Sequence, residues 1–400
     1  MQHSERLIPR TALLNKVLQA LDEAPVTILT GARQTGKTTL AQMVVQHYKE
    51  RGDEVVTYFD LERAADQAAI STPELTLEPL RGLVVIDEIQ RMPELFSALR
   101  PLADRPRVPA RFLALGSASP GLVRGVSESL AGRALFVHVP GLNLCEVGFA
   151  NQETLWTRGG FPRALLAERE EGSFRWREAF VASFLERDIP QLGFRIPSVA
   201  LRRFWTMLAH YHGRVWNASE LARSIGSSSK TALHYRDILE GSYMIRVLPP
   251  WFANLKKRQV KSPKVYVRDS GLLHSLLWIP DMNALRAHPQ YGVSWEGFAL
   301  EQVLGIIRVA ENAYFWSTQC GAELDLLVFR EGKAIGFEFK CTDAPSMTKS
   351  MHVALQDLNL EILYVVYPGS REYDLHEKVK ALPLRECGKL KELLANSSTA

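Results

Sequence analysis

The octapeptide Gly31-Ala32-Arg33-Gln34-Thr35-Gly36-Lys37-Thr38 has the spacing GxxxxGK[ST]. Two glycines let such a loop turn its backbone amides inward around phosphate oxygens, and a helix starting at the loop adds the positive end of its dipole. Lys37 is expected on the terminal phosphates of a bound ATP, and Thr38 is expected to ligate Mg2+ through its hydroxyl. Residues 31–38 together with Thr39 form the expected nucleotide contacts. Downstream, Leu83-Val84-Val85-Ile86-Asp87-Glu88 is an apolar run that ends in two acids. A carboxylate at the end of a buried strand is costly unless a cation compensates it, so Asp87 is expected to serve the magnesium. Glu88 beside it is suited to orient and deprotonate an attacking water. Ser117, in Gly116-Ser117-Ala118-Ser119, is expected beside the γ-phosphate as a sensor. Arg133, in Ser129-Leu130-Ala131-Gly132-Arg133, is expected to complete the site by acting on its own or a neighbouring subunit's nucleotide.

A second group of acids lies near the other end of the chain. Glu323, Asp325, Glu338 and Lys340 sit on two alternating stretches separated by Glu331-Gly332, a hairpin signature. With those two residues as the turn, Asp325 faces Glu338, Glu323 faces Lys340, and the period of two sends all four side chains to one face. Paired carboxylates suit a magnesium ion, and the lysine can help prepare a water. The alternative is a cross-strand salt bridge, Glu323 with Lys340. This Asp…Glu-x-Lys arrangement resembles the restriction-endonuclease-like nuclease core, which commonly takes a further glutamate from a preceding helix, here Glu296 or Glu301.

Elements must hold these residues in place. Apolar runs at 26–29, 55–60, 83–86 and 112–115 read as strands and 37–51 as a helix, the alternation of an α/β domain around a parallel sheet. Helical spacing runs through 173–192 and 199–211. Residues 218–225 and 230–240 then read as helix, turn, helix, followed by strands at 243–248 and 264–267, which resembles a winged helix. The second of those helices carries Lys230, His234 and Arg236, and Lys256, Lys257, Arg258 and Lys261 fall on or near the wing. A helix containing Trp295, three strand-like runs and a final α/β alternation through 363–367 make a second α/β domain. The expected segments are 1–150, 151–200, 201–285 and 286–400.

Composition excludes several classes. Hydrophobic residues at 46% and charged residues at 23% describe a folded globular chain. No apolar run approaches the ~20 residues of a membrane helix, and residues 1–10 lack a secretory core, so a cytoplasmic protein without a membrane partner is expected. The four cysteines show no metal spacing. The net charge of +4 is mild, yet residues 201–270 alone carry +9, leaving −5 on the remainder. DNA is the expected partner of that basic stretch.

Taken in order, Leu83 to Gln90, Ser129 to Arg133, Gly159-Gly160-Phe161-Pro162, Leu185-Glu186-Arg187-Asp188-Ile189, Trp295-Glu296-Gly297-Phe298 and the Asp325, Glu338, Lys340 set resemble a prokaryotic family of AAA-type ATPases of the AAA+ superfamily, fused to a C-terminal domain of unknown function with a restriction-endonuclease-like fold. The resemblance covers nearly the whole chain. It implies an AAA-type nucleotide site, a winged-helix connector, a nuclease-like domain and a homo-oligomer. Three functions follow as expectations: an ATPase that processes DNA with a metal-dependent nuclease domain, a regulatory ATPase whose nuclease-like domain is a silent binding module, or a chaperone-like ATPase without nucleic acid.

Overall fold

The apolar runs of the N-terminal region pair into one parallel sheet. The computed structural model describes residues 7–52, 55–106, 109–117, 128–252, 258–307 and 312–391, the side chain of Ser117 excepted. Strands β1 (Val26–Gly31), β2 (Val56–Asp60), β3 (Gly82–Asp87), β4 (Ala110–Ser117) and β5 (Ala134–His138) lie in the order β2-β3-β4-β1-β5. Four of them match the strands expected from the sequence. The fifth, β5, is an edge strand whose Leu135 and Phe136 remain exposed, so its short run lacks the alternation that marks a half-buried strand. A parallel sheet must be covered on both faces. Ile28, Val84, Ile86, Phe112 and Ala114 pack with Phe96 and Leu99 on one side. Leu29, Val85, Leu113 and Leu115 pack on the other with Val17 and Leu21 of α1 (Thr11–Glu23) and Leu40 and Val44 of α2 (Lys37–Arg51). Each buried aliphatic side chain contributes roughly 1.5–3 kcal/mol relative to exposure. Because all five strands run the same way, the carboxyl ends of β1, β3 and β4 share one edge, where ligands of open α/β sheets bind.

This sheet belongs to the first of two compact units, made of residues 1–141, 191–194 and 241–243; the second holds residues 142–190, 195–240 and 244–400. In the second unit the longer helices α3 (Gln152–Arg158), α4 (Glu170–Ser183) and α5 (Ser198–His210) precede the small sheet. The helix expected over 173–192 stops being α-helical at Ser183 and continues as a π turn, Phe184–Asp188. Arg177, fully buried in α4, donates to Thr157 O at 3.1 Å and Gly271 O at 3.0 Å. Next come α6 (Ala218–Ile225), capped by Asn217, a tight turn at left-handed Gly226, and α7 (Ser229–Gly241). Strands β6 (Arg214–Val215), β7 (Ile245–Leu248) and β8 (Lys264–Val267) form an antiparallel sheet with β8 in the centre.

Helix α8 (Tyr291–Ile307) leads into a six-stranded mixed sheet of β9 (Ala313–Ser317), β10 (Glu323–Arg330), β11 (Lys333–Phe339), β12 (Ile362–Tyr367), β13 (Tyr373–His376) and β14 (Val379–Pro383), ordered β13-β14-β12-β11-β10-β9. The β10–β11 turn has positive φ at both Glu331 (50°) and Gly332 (79°), which a two-residue hairpin of this twist requires. Arg330 pairs with Lys333 and Leu326 with Phe337, the register the turn dictates. Among the described residues no helix is long and apolar enough to cross a membrane.

Candidate functional site

The phosphate loop leaves β1 at Gly31, where an added Cβ would lie 2.3 Å from Val139 O, so only glycine fits. Gly36, with φ of 91°, is left-handed and starts α2. Between them Thr35 Oγ1 donates to Ala32 O at 3.0 Å. Lys37 Nζ donates to Gly31 O at 3.2 Å and Ala32 O at 2.8 Å, across the mouth of the loop. Burial lowers its pKa to about 8, against the opposing pull of Glu88 and Asp87. A residue that sequence reasoning missed braces the loop from outside: buried Arg10 donates to Thr35 O at 3.2 Å, Pro140 O at 3.0 Å and Gly141 O at 3.2 Å.

Asp87 ends β3 opposite the loop. Its Oδ2 accepts from Thr38 Oγ1 at 3.0 Å and from Tyr58 OH at 2.8 Å, and its Oδ1 accepts from the Glu88 amide at 3.0 Å. Tyr58, on β2, was not among the expected site residues; in the sequence it is one more aromatic in a strand. Burial, then Asp87, raises its pKa, so it stays a donor. Glu88 follows in left-handed backbone, φ 55°, which turns its carboxylate off the strand direction toward Gln90 Nε2, its hydrogen-bond donor. Burial raises the Glu88 pKa, while Lys37 and Arg33 act the other way. The Thr38 hydroxyl and the Asp87 carboxylate, joined in one hydrogen bond beside the loop, fit the donor set that an ATP-bound magnesium takes from a P-loop protein.

Two expected members of this site fall elsewhere. Arg133 precedes β5, and its carbonyl accepts from Val26 N, at the start of β1. The loop leaves the far end of that strand, about 17 Å away at the rise of an extended chain. Arg133 is therefore removed from its own subunit's nucleotide, which corrects half of the expectation; its guanidinium holds Asp104 through two bonds of 2.6 and 2.9 Å. Ser117 aligns with Gly31 in the β1–β4 register, but its side chain lies outside the described residues.

In the second unit Asp325, Glu338 and Lys340 do meet. Lys340 Nζ lies 2.6 Å from Glu338 Oε2 and 3.9 Å from Asp325 Oδ2, and Asp325 Oδ2 also accepts from Phe339 N at 3.0 Å. Glu296 joins them; Glu301 instead pairs with Arg246 and Arg268. Glu323 does not pair with Lys340, a second correction. It pairs with Lys264, the first residue of β8, whose Nζ also lies 3.2 Å from Glu296 Oε1 and 3.5 Å from Asp325 Oδ1. Tyr266, two residues along β8, donates to Glu296 Oε1 at 2.7 Å. Burial and the Asp325 charge push Glu338 up to about 8. Among the described residues no three His, Cys, Asp or Glu side chains converge as a metal-holding group. Of the expected magnesium pair, Asp325 Oδ1 faces Lys264, Asp325 Oδ2 faces Lys340 and the Phe339 amide, and Glu338 Oε2 faces Lys340. Of the basic residues expected on nucleic acid, Arg236 lies over the Trp216 ring at 5.1 Å and bonds Asp237, Lys230 and Lys261 are exposed, and Lys256 and Lys257 lie outside the described residues.

Comparison with known proteins gives three family matches along the chain. A model described as an AAA domain matches residues 23–148, and two domains of unknown function match the rest, DUF8612 over 150–283 and DUF4143 over 291–387. The uncharacterized proteins Rv2008c of Mycobacterium tuberculosis and Mb2031c of Mycobacterium bovis are each 48% identical over 392 residues, which cover 97% of this chain and 87% of theirs. The chain belongs to their family. Its N-terminal portion is an AAA-type P-loop ATPase domain. Among solved structures, the Walker-type ATPase PABY2304 of Pyrococcus abyssi is similar at 15% identity and a TM-score of 0.48, covering 68% of this chain and 97% of that one.

Proposed function

We propose that this family member hydrolyses ATP at the 31–38 loop and couples turnover to action on DNA. The observation that carries the first half is the linked set Lys37, Thr38, Asp87 and Glu88 at one edge of the sheet. Lys37 binds the terminal phosphates, the Thr38 hydroxyl and Asp87 hold the magnesium, and Glu88 takes the proton of the attacking water. A magnesium held by Thr38 and Asp87 would supply neutralisation of charge on the phosphates. Ser117 is the proposed γ-phosphate sensor, and Arg133 is the proposed positive group acting across a homo-oligomer interface on a neighbouring subunit's nucleotide. DNA association rests on the +9 charge of residues 201–270 and on a helix, turn, helix and antiparallel sheet of winged-helix type. None of the four cysteines is in a disulfide, which suits a reducing, cytoplasmic setting.

For the C-terminal domain two readings differ in chemistry: a metal-dependent nuclease, or a nuclease-like fold that only binds. The placement of Lys264 favours the second. Measuring the ATPase rate with and without single-stranded, duplex and branched DNA tests the coupling, and equal rates in all four conditions defeat it. Nicking of DNA in magnesium or manganese, lost in Asp325→Ala with ATP hydrolysis intact, would restore the nuclease reading.

A further inference from the structure

A cation among carboxylates need not be a metal. Lys264 stands at the start of the central strand of its sheet, fixed by pairing with Val215 on one side and Leu248 on the other. Its side chain is only 4% exposed. The ammonium has three protons to donate, and three carboxylates from two elements surround it: Glu296 of α8, and Glu323 and Asp325 of β10. The phenol of Tyr266, on the same face of β8, holds the Glu296 oxygen that Lys264 also contacts. The remaining acid, Glu338, is held by Lys340. Burial works against the Lys264 charge, yet Tyr266, Glu296, Asp325 and Glu323 together keep its pKa well above the ordinary value. It is thus a cation at every physiological pH.

We propose that Lys264 is the resident cation of this carboxylate cluster: an intramolecular plug that bars divalent metal and locks β8 to the C-terminal sheet. A magnesium ion needs carboxylate oxygens at about 2.0–2.1 Å with water in its open positions. With the ammonium seated, the oxygens that face it are taken and a divalent ion placed among them is repelled. The cation of this cluster is then a side chain supplied from outside the C-terminal sheet. This inference is independent of the ATPase assignment.

Mn2+ binding by the full-length chain without nucleotide, followed by electron paramagnetic resonance, tests it. The parent and Asp325→Asn are expected to bind the same amount of Mn2+, because the plugged cluster takes none. Lys264→Met is expected to gain a single Mn2+ per chain, lost again in Lys264→Met with Asp325→Asn. An Asp325-dependent Mn2+ in the parent overturns the proposal, and so does a folded Lys264→Met that gains none. Where Lys264→Met is unfolded alone, Mn2+ must restore its folding by near-ultraviolet circular dichroism; no restoration also overturns it.

Discussion

Tyr58→Phe removes a single hydroxyl from the strand beside the acidic pair. That hydroxyl donates to Asp87 Oδ2 at 2.8 Å, the same oxygen that accepts from Thr38 at 3.0 Å. A hydrogen bond to a charged acceptor contributes about 1.5–3 kcal/mol. Tyr58 is half-buried, so water replaces part of what is removed and about 1–1.5 kcal/mol remains as the working figure. At 1.4 kcal/mol per factor of ten, the ATPase kcat should fall about five- to tenfold. KM for ATP should move by less than about twofold, since the bond orients Asp87 and not the phosphate loop. A double-mutant cycle separates positioning from a general loss of stability: with Asp87→Ala already in place, Tyr58→Phe should cost almost nothing more. A Tyr58→Phe enzyme within about twofold of the parent, or full additivity with Asp87→Ala, would refute the assigned role.

Lys37→Ala should lose ATP binding and turnover together, whereas Glu88→Gln should bind ATP normally and hydrolyse it about 100- to 10,000-fold more slowly; equilibrium nucleotide binding beside steady-state rates checks both, and a parental rate for Glu88→Gln removes it as the base. Glu338, with its pKa raised from 4.5 to about 8, binds a proton more tightly folded than unfolded, so its contribution to stability is full below the unfolded pKa and is lost as pH rises through 8. Denaturant unfolding should show the parent weakening over that window and Glu338→Gln weakening less; parallel profiles count against it. Neutralising Lys256, Lys257 and Arg258 together should weaken duplex DNA binding for all sequences and flatten the log–log salt dependence by about 0.9 for each phosphate that is no longer neutralised; an unchanged slope by fluorescence anisotropy would turn the segment into a protein-docking surface.

Local chemistry explains what could be read without coordinates. The phosphate loop, β3 and its acids, α2 and the β10–β11 register were legible because each is set within a few residues: a glycine spacing, an apolar run, a turn with two left-handed positions. The choice of Glu296 over Glu301 was open, since both lie on the same helix and only the facing strand discriminates. Lys264 was hidden for a stronger reason. It sits within a basic stretch where a lysine suggests solvent or phosphate, and its partners are 32 to 61 residues away along the chain. Tyr58 and Arg10 were hidden similarly, because a strand tyrosine and an arginine near a terminus carry no spacing signal of their own. Arg133 shows the opposite failure: a motif placed it near a nucleotide, and strand direction put it at the other edge of the sheet.

The carboxylate cluster is lopsided, with Glu296, Glu323, Asp325 and Glu338 set against Lys264 and Lys340. Acid surplus makes the order of substitutions matter. A lineage that trades one acid for an amide moves toward balance and keeps both ammonium groups satisfied, so such a step is tolerable by itself. Losing Lys264 first leaves buried Asp325 and largely buried Glu296 without that ammonium, and breaking a buried pair from one side costs about 3–5 kcal/mol. Drift should therefore erode the acids before the lysine. Chains of this architecture that have abandoned the Asp-Glu-Lys pattern are expected to be reached through that sequence of steps, with the β8 lysine as the last member to go.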